Sequence, residues 1–183
     1  MTFSFNEAES SVYVETVSKG MLAKLAHDLH IDVKASSVVA EGEASFSAQV
    51  RPEDLTVKGV RKSGRVDTSV LSASDLKDIH QKIRSEVFRS PIQVRGEVSL
   101  GEAPDGDAKR RLPIQLNLEL SGKRMSARFD AEFSWEGSSV VASGSFPVRL
   151  PALGIAPPKG PMGAFRVDDD VTVKFKLRFD VTA

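Results

Sequence analysis

Apolar and polar side chains alternate one for one through much of this chain. Met125, Ala127, Phe129, Ala131, Phe133 and Trp135 are interleaved with Ser126, Arg128, Asp130, Glu132 and Ser134. Successive side chains of a strand point to opposite faces, so this spacing predicts one long strand with a dry face and a wet face. The C-terminal stretch repeats it, with Val171, Val173, Phe175, Leu177, Phe179 and Val181 set between Thr172, Lys174, Lys176, Arg178 and Asp180. Leu112, Ile114, Leu116, Leu118 and Leu120 alternate with Pro113, Gln115, Asn117 and Glu119. Weaker runs are Leu29, Ile31, Val33, Ala35; Ala44, Phe46, Ala48, Val50; and Val140, Ala142, Gly144, Phe146, Val148, Leu150. Residues 11–17, 55–60, 66–71 and 92–100 add shorter ones.

The links between these runs set their direction. Ser121-Gly122-Lys123 and Glu136-Gly137-Ser138 are too short for anything but antiparallel hairpins. Pro104 and Gly106 mark 101–109 as a longer loop. One segment changes period: Leu76, Ile79, Ile83 and Val87 recur at three- and four-residue steps, which predicts a helix. Ser72 with Asp75 resembles a capping box in which Asp replaces the longer Glu, and Pro91 closes the segment. A shorter helical turn is predicted at 19–26, where Met21, Leu22 and Leu25 share a face.

The pattern therefore predicts an all-β chain, an extended antiparallel barrel of eight strands with one mid-chain α-helix. Strands dry on one face must sandwich or close, and closure at this size leaves an interior able to hold one small ligand. No composition shift divides the chain, so residues 1–183 are expected to form a single domain. The lumen-facing candidates are Phe46, Val50, Leu116, Leu118, Phe129, Ala131, Phe133, Trp135, Phe146 and Phe175. Ala44, Ala48, Ala127, Ala131, Ala142 and Gly144 are small members of the inward sets. Either large neighbours fill the space above them, giving a packed core, or a cavity remains.

Composition narrows the function classes. Lys+Arg and Asp+Glu are 25 each, and this zero net charge gives no long-range field of the kind a nucleic-acid partner needs. No apolar run approaches the roughly 20 residues of a spanning helix. The first residues, MTFSFNEAES, have neither a basic nor an apolar signal region, so a cytoplasmic location is expected. Ten Phe against one Tyr and one Trp leave no aromatic girdle for a transmembrane barrel.

Catalytic and metal chemistry find little support. Cys is absent, which removes disulfides and thiolate ligands. His27 and His30 diverge across a turn into a strand, and His80 lies on the distant helix. There is no HExxH, no GxSxG and no glycine-rich phosphate loop. Asp168, Asp169 and Asp170 read as a solvated strand start rather than a calcium loop. We therefore expect no enzyme activity, no cofactor and no metal. Arg61, Lys62 and Arg65 fall in one turn, and Lys109, Arg110 and Arg111 at a loop exit. These are solvated loop charges or, for Arg61, Lys62 and Arg65, a rim that meets an anionic head group or a membrane surface.

KGMLAKLAHDLHIDV (19–33), the helix at 72–87, LELSGKR (118–124) and GSFPVRLPALGIAPPKGPMGAFRV (144–167) together resemble the YceI family of lipocalin-like barrels. KGMLAKLAHDLHIDV (19–33) is similar to the turn-then-strand segment of its "GHDL" branch, with Ala26 where Gly is common. The helix at 72–87 matches the family's mid-chain helix. LELSGKR (118–124) stands at a strand-to-hairpin signature, with Ser121 in place of His. GSFPVRLPALGIAPPKGPMGAFRV (144–167) carries a GI-x-P loop through Gly154, Ile155 and Pro157. The resemblance spans nearly the whole chain. It implies a barrel whose lumen holds a long apolar chain, such as an isoprenoid, quinone or fatty acyl group, without catalysis. The expected protein is a monomer or weak homodimer with no integral membrane segment and at most transient membrane-surface contact. The alternative is a structural or interaction barrel with a packed lumen and no small-molecule ligand.

Overall fold

The computed structural model describes residues 2–20, 27–35, 38–40, 45–101, 104, 106–160 and 163–182. In chain order the strands are β1 (Thr2–Glu15), β2 (Ser18–Lys19), β3 (Leu29–Val33), β4 (Val39–Ala40), β5 (Ser45–Val50), β6 (Leu55–Lys62) and β7 (Arg65–Asp67). Helix α1 (Ala73–Lys82) follows, then β8 (Ile92–Val98), β9 (Ala108–Leu120), β10 (Lys123–Glu136), β11 (Ser139–Arg149), β12 (Arg166–Val167) and β13 (Asp170–Thr182). Eleven strands form one antiparallel sheet in the order β4-β5-β8-β9-β10-β11-β13-β1-β3-β6-β7, and β2 pairs with β12 in a separate ribbon. Edge strand β4 packs back against β1, so the sheet curls round on itself. The class is the one the alternation predicts, but the strand count is eleven rather than eight. The two- and three-residue pieces β4 and β7 extend the sheet at its ends and are too short to show a period.

The longest hairpin is β9–β10, in register from Lys123↔Leu120 to Trp135↔Ala108. Its turn residues Ser121 and Gly122 have φ of 48° and 79°. Both values are positive, as a two-residue turn matched to strand twist requires. The same Ser-Gly device closes β6–β7, at Ser63 (φ 50°) and Gly64 (φ 78°). Strand β9 starts at Ala108, so Lys109, Arg110 and Arg111 lie in a strand and not at a loop exit. Arg110 falls on the inward set and sits over the Trp135 ring, 5.2 Å from its centroid. The helical turn predicted at 19–26 falls mostly outside the described residues.

The N-terminal segment is also strand, which strict alternation does not reveal. Between Asn6↔Arg178 and Ser11↔Lys176 strand β1 advances five residues while β13 advances two. This bulge flips the phase: Phe3 lies on the inner face before it, and Val12 and Val14 after it. Ser10 repairs the interrupted ladder, its hydroxyl donating to the Asn6 carbonyl at 2.6 Å and accepting from the Arg178 N–H at 2.9 Å.

Strands β10 and β11 pair only from Glu132↔Ser143 to Glu136↔Ser139 and then separate. A 3₁₀ turn, Leu150–Leu153, packs into the opening, burying Leu153. Both strand prolines lie where a ladder has stopped. Pro147 is beyond the last β10–β11 pair, and Pro113 is beyond Val98↔Ile114, the last β8–β9 pair. A residue without an N–H is tolerated there.

Helix α1 begins with both capping-box bonds: Asp75 N–H donates to Ser72 Oγ at 3.2 Å and Ser72 N–H to Asp75 Oδ2 at 2.8 Å. The Ser72 hydroxyl and N–H hold the Asp75 carboxyl below its ordinary value. The last turn, Ile83–Val87, widens to a π turn, with Phe88 N–H donating to the Ile83 carbonyl at 3.3 Å. That extra residue rotates Phe88 into the core beside the predicted stripe.

Two outcomes test this packing. Gly96 pairs with Phe46, whose ring lies where a side chain would be; a Cβ there would sit 2.0 Å from Phe46 Cζ. Gly96→Ala is expected to displace the ring and cost about 1–3 kcal/mol in urea unfolding. In the β2–β12 ribbon, the Lys19 ammonium lies 2.8 Å from Asp168 and holds that carboxyl below its ordinary 3.8, against opposing desolvation. A depressed carboxylate contributes stability above its unfolded pKa and loses it as pH falls through its folded one. Lys19→Met is therefore expected to cost under about 1 kcal/mol at neutral pH. Acid titration of both proteins should show that difference fading below pH 3.8.

Candidate functional site

Closing the sheet turns the inner face of each long strand onto one volume. The side chains do not fill it. A cavity of about 570 Å³ remains inside the barrel, within the range of small-molecule sites. Its wall is built from β1 (Val12, Val14), β3 (Ile31), β5 (Phe46, Ala48), β8 (Val94), β9 (Leu116), β11 (Phe146) and β13 (Val173, Phe175). Ile79, Ile83 and Val87 of the helical segment cover one side. Among the described residues no buried side-chain nitrogen or oxygen lacks a hydrogen-bond partner. Thr16 illustrates this: its hydroxyl accepts from Leu29 N–H at 2.9 Å, so even this polar wall residue is satisfied by backbone. The wall asks for an apolar occupant, because it has no unpaired buried polar group to offer one.

Eight of the ten lumen candidates line this cavity: Phe46, Val50, Leu116, Leu118, Phe129, Phe133, Phe146 and Phe175. Ala131 and Trp135 do not. Ala131 is 1% exposed and packs beneath an aromatic cluster in which Phe129 stacks on Phe146 at 4.8 Å and meets Phe175 edge-on at 6.0 Å. A Cβ on neighbouring Gly144 would lie 3.0 Å from Phe175 Cζ and 3.5 Å from Ala131 Cβ. Phe175 thus occupies the space these two small residues leave. Trp135 sits under the Arg110 guanidinium at the Ala108 end of β9. Ala48 and Ala142 do face the cavity, while Ala44 lies outside the described residues.

The basic triad is elsewhere. Arg61 pairs with Glu15 at 3.3 Å, Lys62 and Arg65 flank the β6–β7 turn, and none of the three lines the cavity. Among the described residues the lysines and arginines at its wall are Lys34, Lys82 and Lys159, which periodicity does not single out. All three are exposed, so they stand where the cavity meets solvent.

His80, His30 and the acidic run have side-chain partners, while His27 lines the cavity. His80 Nε2 accepts from Val57 N–H at 3.0 Å, tying the helix to β6. His30 stacks on Tyr13 at 4.4 Å and lies 3.1 Å from Asp32 on the outer face. The Asp28 carboxylate accepts from Ser18 N–H at 2.8 Å, whereas His27 bonds through its carbonyl, to Ser18 Oγ. Asp168 pairs with Lys19, Asp169 with Arg166, and Asp170 with Arg149 at 3.7 Å. Among the described residues no three His, Asp or Glu side chains converge as a metal site would require, and no helix is long and apolar enough to cross a membrane.

No family model matches the chain, and no curated protein matches it in sequence. Solved structures do. A polyisoprenoid-binding domain from Saccharophagus degradans, implicated in plant cell wall breakdown, superposes with a TM-score of 0.69 at 10% identity, over 100% of this chain and 99% of that one. BcnA of Burkholderia cenocepacia superposes with a TM-score of 0.58 at 16% identity, over 96% of this chain and 99% of that one. The fold is therefore the YceI-like barrel.

The two kinds of alanine separate cavity from core. Ala48→Trp is expected to enter open space and change stability by less than about 1 kcal/mol. Ala131→Trp should overpack the Phe129, Phe146 and Phe175 cluster at about 1–3 kcal/mol. Chemical denaturation of the two variants beside wild type measures both.

Proposed function

We propose that the protein is a non-catalytic carrier that holds a long apolar molecule, isoprenoid-like or lipid-like, in the barrel lumen. The observation that carries this reading is the unfilled cavity of about 570 Å³ with an apolar wall. A barrel serving only as a scaffold gains by filling its core, since side chains around a void forgo dispersion contacts. The space runs past Phe46, Leu116, Phe146 and Val173, which come from four different strands. An extended chain can touch such a wall along its length, and each buried methylene contributes about 0.8 kcal/mol before the costs of ordering. The polyisoprenoid-binding domain with the same fold supports the choice of a long apolar ligand.

The carrier reading needs no catalytic group at the cavity. His80 is committed to the Val57 N–H, and Asp28 to the Ser18 N–H. What the wall can do is exclude water from a molecule that water does not dissolve.

Organic-solvent extraction of the purified protein, followed by mass spectrometry, tests this. The expected result is one class of long-chain apolar molecule at close to one per protein, depleted at least tenfold in Ala48→Trp. An empty extract from wild type, together with no uptake of Nile red, would overturn the carrier reading and leave a structural barrel.

A further inference from the structure

Among the described residues, the charged side chains at the cavity wall are all of one sign. Lys34, Lys82 and Lys159 line it, and among the described lining residues there is no aspartate or glutamate. The chain as a whole carries 25 basic and 25 acidic side chains, so this bias belongs to the site and not to the composition. Some lysines elsewhere on the surface are matched, among them Lys19 with Asp168 at 2.8 Å, Lys174 with Glu15 at 3.0 Å and Lys58 with Asp32 at 3.4 Å. Among the described residues no carboxylate pairs with Lys34, Lys82 or Lys159. The Lys82 ammonium donates to the Lys159 carbonyl at 3.3 Å. That bond joins α1 to the segment after the 3₁₀ turn and brings the Lys82 ammonium to the backbone of Lys159, both residues lining the cavity. An ammonium has three donors, so Lys82 keeps two for another acceptor.

We propose that the ligand is a single-chain amphiphile with an anionic head, carboxylate or phosphate, whose chain lies in the lumen and whose head sits between Lys82 and Lys159. This rests on the carrier reading and adds which end of the ligand the protein grips. Both lysines are exposed, so neither ammonium is desolvated until a head group arrives. A charge-assisted bond at a half-dry mouth is stronger than the same bond in open water. Among the described residues no arginine lines the cavity. The planar fork that selects bidentate geometry is therefore missing, and point-charge lysines serve either oxyanion equally.

The test compares three sixteen-carbon probes on solvent-stripped protein, by displacement of Nile red: palmitate, hexadecyl phosphate and hexadecanol. The two anions are expected to bind about five- to tenfold tighter than the alcohol, the scale of one or two partly exposed ion pairs. Palmitate and hexadecyl phosphate, run separately, show which oxyanion is preferred. In the Lys82→Gln, Lys159→Gln double variant that advantage should fall to within about twofold, with hexadecanol binding unchanged. The anionic advantage should also shrink with added salt. Equal binding of all three probes by wild type, or an anionic preference that survives both substitutions, would overturn the head-group assignment while leaving the carrier intact. Failure of all three to displace Nile red would overturn the carrier reading itself, and this inference with it.

Discussion

A sheet that is apolar on one face only must hide that face, and curling the sheet round hides it from water without obliging it to be filled. Strands β1, β3, β5, β8, β9, β10, β11 and β13 all turn inward side chains onto the same volume. The departures from regularity serve this closure. The β1 bulge changes which parity faces inward, the parting of β10 from β11 admits the 3₁₀ turn, and helix α1 with the π turn after it covers a side of the cavity through Ile79, Ile83 and Val87. Aromatic rings fill the interior where small residues meet, at Gly96 under Phe46 and at Ala131 and Gly144 under Phe175.

Charge is arranged around that volume and kept out of most of it. The outward sets are laced by pairs such as Arg124 with Glu119 at 2.8 Å and Arg178 with Glu136 at 3.2 Å. At the lower end of the inward set on β9, the one guanidinium found there is Arg110, and it is placed over the Trp135 ring. The lysines at the cavity wall differ from Arg61, Lys62 and Arg65 in lining the apolar space itself. A charge beside an opposite charge is already answered; a charge without one at the edge of an apolar space can still be answered by a ligand.

Identity of 10% with a domain of the same fold, over the full length of both chains, follows from the same physics. Alternation and turn chemistry specify the barrel, and many combinations of Val, Leu, Ile, Phe and Ala satisfy alternation. The wall's shape and its few polar groups depend on which of those residues stands at each position. Such a likeness therefore carries the architecture and leaves the ligand to be argued from this chain's own cavity.

The sequence by itself determined what is local. Period-two alternation marked β9, β10 and β13, the Ser121-Gly122 turn marked the hairpin, and Ser72 with Asp75 marked the helix start, because each depends on residues close together in the chain. Phase could not survive the bulge in β1, so Phe3 went unread, and the π turn brought Phe88, outside the expected stripe, into the core. Only tertiary structure decided which small inward residues stay open: Ala48 faces the cavity, whereas Ala131 is buried beside Gly144 and the Phe175 ring. It also decided which cations reach the site, since Lys82 and Lys159 are 77 residues apart and meet through one side-chain bond to backbone. Periodicity tells which face a side chain takes. What stands opposite it across the barrel is set by closure, and closure is a property of the whole sheet.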